Sequence, residues 1–391
     1  MPSAADKVEL LIGGRLVDGA ILGGNMHEDW ESYEIDSDLL TPADAWHLTL
    51  GIASGDRTSS TAGGLPADVS AGAPVQVKVG SETVMTGRID EISHRVDKRS
   101  HTLSLSGRDG AAVLVDCSAP IFVARLVSID EIMTKVVALL GITKKRIDAD
   151  TKRLREKINV EPGDTAWDVL SHAAEANGLW PWFDPDGTLV LGGPDYTTPP
   201  VADLVLRYDG QNNNVMSLDV RRSIAERYSE LTVLGQTHGT ETETGKHALH
   251  ATAHDAEMEA ITYRPKIIVD HESDNAAIAK DRARKLIADA RLKGLTMMAQ
   301  VKGHRIVAPG QPSDGVLWAP GQRVRVCSEP HGIDDTFFLM GRKFCGGRNG
   351  GATTELTLKE DGMWTLDAHP HKRKHRRGKN GIMDDYTGPS K

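Results

Sequence analysis

Cysteine is scarce, with Cys117, Cys327 and Cys345 the three in 391 residues. An odd count cannot form a closed disulfide framework, so free buried thiols in a reducing cytoplasm are expected, with a Cys327–Cys345 bond as the alternative. Aromatic residues are sparse at 5%. Long apolar runs are missing: the most apolar helix candidate, Ile132 to Ile142, falls well short of the roughly 20 residues that cross a bilayer. The opening MPSAADKVELLIGG has no basic stretch followed by an apolar one, so no secretory leader is expected. HExxH, GxSxG and GxGxxG do not occur, which removes the sequence basis for a zinc protease, a hydrolase elbow or a dinucleotide fold.

What is present describes a multidomain globular chain. Hydrophobic residues make up 39% and charged residues 26%, with a mean hydropathy of −0.34. The length fits two to four domains of roughly 100 to 150 residues each. Glycine at 39 and proline at 18 point to many turns between short elements, and so to β-rich architecture. The net charge of −9 is unevenly spread: residues 372–391 carry seven Lys/Arg against two Asp, leaving −14 on residues 1–371. A body of that sign repels nucleic acid at long range.

Period-2 alternation marks strands at Val8 to Ile12, Tyr33 to Ile35, Trp46 to Leu50, Val75 to Val79 and Leu103 to Leu105, with a small-residue surface loop at Gly55 to Gly72. After Cys117 the period changes. Ser128 and Glu131 form a capping box for a helix that Gly141 stops, and Thr165 and Asp168 open a second helix ended by Gly178. LWPWFDPDGTLVLGG then reads as a hairpin, so residues 118–193 form an inserted α+β module. Strands return at Asp203 to Tyr208, Val215 to Val220 and Glu230 to Leu234. An amphipathic helix follows over 274–293, closed by Gly294, and strands over Met298 to Val301, Gln322 to Val326, Thr336 to Gly341 and Thr354 to Leu358 complete the fold. No repeat of 20 to 50 residues is visible.

Four segments invite a chemical reading. His247, His250 and His254, with Asp255 adjacent, have zinc-binding donors, but no clean helix fixes them, and a solvated loop is the expectation. Gly239 to Lys246, GTETETGK, nearly spells a phosphate loop, yet five residues separate its glycines and His247 stands where Ser or Thr should bind the cation. INVEPGDTAWDVLSHAAEANGL is locally similar to LysM glycan-binding modules; the plainer reading is that Pro162, Gly163 and Thr165 start a helix. The basic tail 369–379, within HPHKRKHRRGKN, is expected to be a solvated end, without the interleaved aromatics of a single-strand surface. No catalytic or metal residue and no cofactor is expected, and the binding residues stay open.

Two blocks carry a family resemblance. GAPVQVKVGSETVMTGRIDEISHRVDKRSHTLSLSGRDGAAVLVDCSA resembles the Mu-like phage baseplate hub family through Thr86, Gly87, Ile89 and Asp90, then Gly107, Arg108, Asp109, Val115, Asp116, Cys117 and Ser118. SDGVLWAPGQRVRVCSEPHGIDDTFFLMGRKFCGGRNGGATTELTLKEDGMW is similar through Gly315, Leu317, Trp318, Pro320, Val324, Val326, Gly332, Ile333, Asp334 and the strand entry Gly351 to Leu356. Trp46 stands where the pattern has Phe.

The resemblance implies an α+β, mainly β fold: a tube-like β-barrel domain over 1–117, the inserted module over 118–200, a second tube-like barrel over 201–366 with the bracing helix 274–293, and a basic tail over 367–391. It implies a non-enzymatic homotrimer in the virion baseplate, assembled in the host cytoplasm. Its partners would be the tail tube protein, the central spike protein and other baseplate proteins, with phage DNA passing through the ring and no membrane insertion. A type VI secretion spike protein is the alternative, and a wall-binding or peptidoglycan-cutting tail protein a more distant one.

Overall fold

A computed structural model describes residues 7–17, 30–51, 69–98, 101–120, 123–124, 127–148, 154–155, 158–160, 163–175, 179–235, 249–270, 276–348 and 350–363. The expected loop Gly55 to Gly72 lies mostly outside these residues, and the GTETETGK segment, His247 and the basic tail wholly so. The chain divides into two compact units. One holds residues 1–174, 180–220 and 297–361; the other holds 175–179, 221–296 and 362–391.

The first unit opens with seven strands: β1 (Val8–Ile12), β2 (Arg15–Val17), β3 (Ser32–Asp38), β4 (Ala45–Gly51), β5 (Pro74–Val79), β6 (Glu82–Val96) and β7 (His101–Asp109). Their alternation sends Leu10, Ile12, Ile35, Trp46, Leu48, Leu50, Val75, Val77 and Val79 into the core, each buried, while the intervening residues face outward. Gly13 and Gly14, both at positive φ, supply the two-residue turn between β1 and β2 that L side chains disfavour.

The short helix α1 (Ala112–Asp116) leads into the inserted module. There β8 (Val123–Ala124), β9 (Val127–Ser128), α2 (Ile129–Val137), β10 (Lys145–Ile147), β11 (Leu154–Arg155), β12 (Ile158–Asn159), α3 (Ala166–Glu175), β13 (Trp180–Phe183) and β14 (Leu189–Gly192) follow in order. Both expected helix starts are present. Ser128 Oγ accepts from the Glu131 N–H while Glu131 accepts from the Ser128 N–H, and Thr165 Oγ1 accepts from the Asp168 N–H at 3.1 Å. The module is seated on the first strands through Phe183, whose ring lies against Gly110 so closely that a Cβ there would fall 2.4 Å from it. The Thr86 hydroxyl adds a hydrogen bond to the Pro185 carbonyl at 2.7 Å.

The last part of this unit is β15 (Ala202–Leu206) and β16 (Val215–Arg222), resumed much later in the chain. Between them and the C-terminal strands lie β17 (Glu230–Gly235), β18 (Leu249–His254), α4 (Ala256–Ile261), β19 (Pro265–Asp270) and α5 (Ala276–Gly294). Then come β20 (Leu295–Lys302), β21 (Arg323–Ser328), β22 (Ile333–Gly347) and β23 (Gly350–Glu360). In the second unit the sheet β18-β17-β19 packs Leu231, Val233 and Ala253 against Ala279, Ala283 and Ile287 of α5. The helix expected over 274–293 therefore exists, and within this unit it covers a three-stranded sheet of its own. The histidine segment is not a loop: His250 and His254 sit on β18, which pairs with β17 from Leu249 to His254.

The chain is mainly β, but its strands do not close into barrels. Hydrogen bonds run in one open path, β16-β20-β23-β22-β3-β4-β7-β6-β5-β1-β2, with β21 and β15 branching from β22. Within that path the same arrangement occurs twice. The order β5-β6-β7-β4-β3 in the N-terminal half matches β21-β22-β23-β20-β16 in the C-terminal half. The correspondence reaches single residues. Both long strands have 15 residues, and each breaks register near its middle against the strand that follows it, between Ile89 and Glu91 in β6 and between Leu339 and Gly341 in β22, with a second break in β22 between Cys345 and Gly347. Trp46, Leu48 and Leu50 are buried opposite β7 as Met297, Ala299 and Val301 are buried opposite β23. Closure of the first array on itself would need β3 to meet β6. Instead β3 pairs with β22, the counterpart of β6 in the other array, so the two halves join each other.

Candidate functional site

The joint between the arrays is the most chemically loaded place in the first unit. Antiparallel pairing sets Asp38, Ser37, Asp36, Ile35, Glu34 and Tyr33 of β3 opposite Gly341 to Gly346 of β22. The strands approach so closely that a Cβ on Gly346 would stand 2.4 Å from the Tyr33 hydroxyl. Arg342 is buried in this seam at 4% exposure. Its guanidinium donates to the Ile35 carbonyl at 3.2 Å and stacks 4.0 Å above the Phe344 ring. Burial pulls its pKa down to about 10, against the pull of Asp44 and Asp36.

Carboxylates surround it. The Ser37 hydroxyl donates to Asp44, which also accepts from the Asp38 N–H at 3.1 Å. Burial pushes Asp44 up to about 6, and it pushes Asp109 well above the ordinary carboxylate range, with the charge of Asp44 adding to the effect. Asp36 and Asp38 are raised by burial too.

His304, fully buried, also lies against Phe344, with ring centroids 4.5 Å apart. Thr354 Oγ1 donates to the Gly303 carbonyl at 2.6 Å, so it must accept from His304 Nδ1–H at 3.2 Å, which leaves Nε2 to accept from the Tyr33 hydroxyl at 2.8 Å. Desolvation, then Arg342, pushes this histidine down to about 4, and it sits neutral. Ser37 and Asp44 are thus neighbours at a sheet joint, in a part-buried hydrogen bond. The cluster's chemistry is to fasten two strands from opposite ends of the chain.

The two glycine motifs quoted for the family also act on backbone approach. A Cβ on Gly87 would lie 1.9 Å from the Arg108 carbonyl, and one on Gly107 would lie 1.9 Å from the Arg88 carbonyl, so β6 and β7 can touch there only without side chains. Arg108 then reaches Asp90 at 2.6 Å and holds Asp116 through both terminal nitrogens at 3.0 and 2.6 Å. The short β6–β7 crossing and α1 are pinned by one side chain.

Among the described residues no group of three or more His, Cys, Asp or Glu side chains is placed to hold a metal. His250 and His254 both face outward from β18, and His254 Nδ1 meets Glu259 at 2.7 Å. All three cysteines are free thiols, and burial pushes Cys345 up to about 11, away from nucleophilic use. No helix among the described residues is long and apolar enough to cross a membrane.

Sheet edges are the remaining candidates. β15 pairs with β21 on one side. Its other side is occupied by side chains, since the Val205 N–H donates to Asn214, the Arg207 N–H donates to Asn213, and both amides donate back, to the Asp203 and Arg207 carbonyls. β16 has no such cover: among the described residues it is the end of the path, eight residues long, with Met216 half exposed.

Known proteins match this architecture along its length. The family model for the N-terminal part of the Mu phage baseplate assembly protein GpP-like group matches residues 20–109, and that for the second domain of the baseplate hub protein gp44-like group matches 111–193. The tail protein NMB1110-like third domain matches 227–287, and the corresponding tail protein C-terminal domain matches 289–363. The tail protein from Neisseria meningitidis MC58, a crystal structure, is 39% identical, with 93% of this chain and 99% of that one aligned at a TM-score of 0.77. The chain belongs to the Mu-like phage baseplate hub family. The baseplate hub protein gp44 of Escherichia phage Mu is 23% identical over 330 residues, 82% of this chain and 81% of its own. The hub fold extends further: an E. coli component of the type VI secretion system aligns over 92% of this chain and 78% of its own at 11% identity and a TM-score of 0.54, a likeness of fold alone.

Proposed function

We propose that this baseplate hub protein works as a ring of three copies that adapts a threefold central spike to a sixfold tail tube and gives the tube its starting surface. The observation that carries this reading is the doubled five-stranded array, β5-β6-β7-β4-β3 and β21-β22-β23-β20-β16. Three chains with two equivalent arrays each present six equivalent units on a threefold axis, which is what a symmetry adaptor requires. The partners of such a ring are its sister chains, the tube protein, the spike protein and other baseplate proteins, and phage DNA passes through its opening. The acidic body, at −14 over residues 1–371, supports that passage because like charge does not hold the strand. The role is structural rather than enzymatic, a reading supported by the polar cluster of the seam, whose hydrogen bonds run between strands.

Light scattering across a concentration series, with averaged electron micrographs, tests the ring. The expected result is a particle of three chains showing six lobes. A stable monomer at high concentration overturns the reading. A blank peptidoglycan zymogram is expected as well, and clearing would favour the wall-cutting alternative.

A further inference from the structure

We infer that the side chains of Asp44 and Asp109 hold one proton between them at neutral pH, Asp109 as the acid and Asp44 as the carboxylate, and that this proton fastens the inserted module to the seam.

Strand register puts the two carboxyls side by side. β4 and β7 pair Trp46 with Gly107 and Ala45 with Arg108, and one step further the Asp109 N–H donates to the Asp44 carbonyl at 3.0 Å. Trp46 is buried and Ala45 exposed, so alternation turns Asp44 and Asp109 to the side of Trp46. Ser37 and Arg342, opposite one another across the β3–β22 joint, are buried as well. Arg342, Ser37, Asp44 and Asp109 therefore form one row that runs from β22 to the end of β7.

In that row a single guanidinium faces two carboxyls. The other acidic neighbour of Arg342, Asp36, flanks Ser37 on β3 together with Asp38; both therefore face the opposite side, where Lys343 acts on Asp36 and Lys359 on Asp38. Arg108, beside Asp109, is engaged with Asp90 and Asp116. Asp44 takes the charge, because it accepts from the Ser37 hydroxyl and the Asp38 N–H and feels Arg342. Asp109 accepts from the Ala111 N–H at 2.9 Å. Burial first, and then the charge of Asp44, hold the proton on it, against a weaker opposing pull from Arg108. A second anion in the row would lack a cation of its own, and one proton removes that conflict.

The link to the module follows from where Asp109 stands. It is the last residue of β7. Ala111, whose N–H it binds, precedes α1, and Gly110 between them makes the close contact with the Phe183 ring of β13. Opening this joint gives the Asp109 carboxyl to water, where its acidity returns to the ordinary value of 3.8 and the proton leaves. Because the closed joint raises Asp109, its contribution to closure is complete below 3.8 and is lost as pH rises through its value in the closed joint. Above about 6 Asp44 is already ionised. From there the opening equilibrium climbs about tenfold per pH unit until Asp109 ionises in place.

Infrared spectroscopy of the full-length protein at pH 7 tests the proton. The expected wild-type spectrum contains the carbonyl stretch of a protonated carboxylic acid. Asp109→Asn should lack it, and so should Asp44→Asn, since each variant leaves one carboxyl to balance Arg342. A wild-type spectrum without the band overturns the proposal whether or not the variants fold. A band that survives Asp44→Asn shows that burial alone protonates Asp109, and overturns the pairing. Hydrogen exchange at the Val115 and Cys117 amides, which bond the Ala111 and Val113 carbonyls, tests the coupling. After correction for the chemical exchange rate, wild-type opening should rise about tenfold per pH unit above pH 6. Asp109→Asn, whose amide oxygen can still accept from Ala111, should show no such rise. Equal slopes in the two proteins would mean that the proton has no hold on the module.

Discussion

Tyr33 and His304 stand 271 positions apart in the chain, and the hydroxyl of the first donates to Nε2 of the second at 2.8 Å inside the joint between the arrays. Tyr33 is 7% exposed and His304 is fully buried, so water does not replace either partner. Tyr33→Phe keeps the ring and strands the imidazole nitrogen. An unsatisfied buried acceptor costs about 1–3 kcal/mol, so the denaturant midpoint should fall with an unchanged slope. A midpoint equal to wild type would mean that the seam does not depend on this pair.

Acidity acts on the same seam in two opposed ways. Asp44, raised by burial to about 6, binds its proton more readily in the folded chain; its favourable contribution is complete below its unfolded value of 3.8 and is lost as pH rises through about 6. His304, lowered to about 4, behaves in reverse: its contribution is complete above 6.5 and is lost as pH falls through about 4. Asp44→Asn removes the first dependence. The melting temperature of the variant, relative to wild type, should therefore improve between pH 5 and pH 7, and a constant difference would count against a strained carboxylate at this position.

The module joint makes a third case. Gly110→Ala drives a methyl into the Phe183 ring, 2.4 Å from its nearest carbon, and overpacking of this kind costs about 1–3 kcal/mol. Phe183→Ala should suppress that loss, because the double variant has room that the single one lacks. Additive effects in a double-mutant cycle would show that the two residues do not bear on one another.

Removing the guard on β15 should change solubility more than stability. Asn213→Ala with Asn214→Ala strips the side-chain partners from the backbone of Val205 and Arg207 and leaves a bare edge. Light scattering during mild heating should report aggregation at a lower temperature than for wild type. Indistinguishable onset temperatures would make the asparagines simple turn residues.

Much of the fold was legible because alternating burial writes itself into β1, β4 and β5 as apolar residues at every second position, and because Ser128–Glu131 and Thr165–Asp168 spell their helix starts. The doubled array was expected only from the family resemblance, and residue patterning by itself does not show it. Its equivalent positions share only apolar character, Trp46 with Met297 and Leu48 with Ala299, and packing asks for little more than size and hydrophobicity there. The strand bearing His250 and His254 reads as a loop because its inward residues are Ala251 and Ala253, small and weakly strand-forming, and because its stability comes from α5 beneath it. The seam was out of reach for another reason: a glycine-rich segment near the C-terminus gives no sign that a tyrosine near the N-terminus will lie on it.

That distance also governs timing. The Ile35 carbonyl and the Arg342 guanidinium that bonds it are 307 residues apart, so at ribosomal speeds of roughly 5–20 residues per second β3 waits on the order of 15–60 s for its partner to be synthesised. Until then a nascent chain has only the first array, with β3 uncapped and no second array to join. A chain cut short before β22 therefore leaves β3 without the strand it pairs with, so the order in which strands leave the ribosome makes the seam a late event.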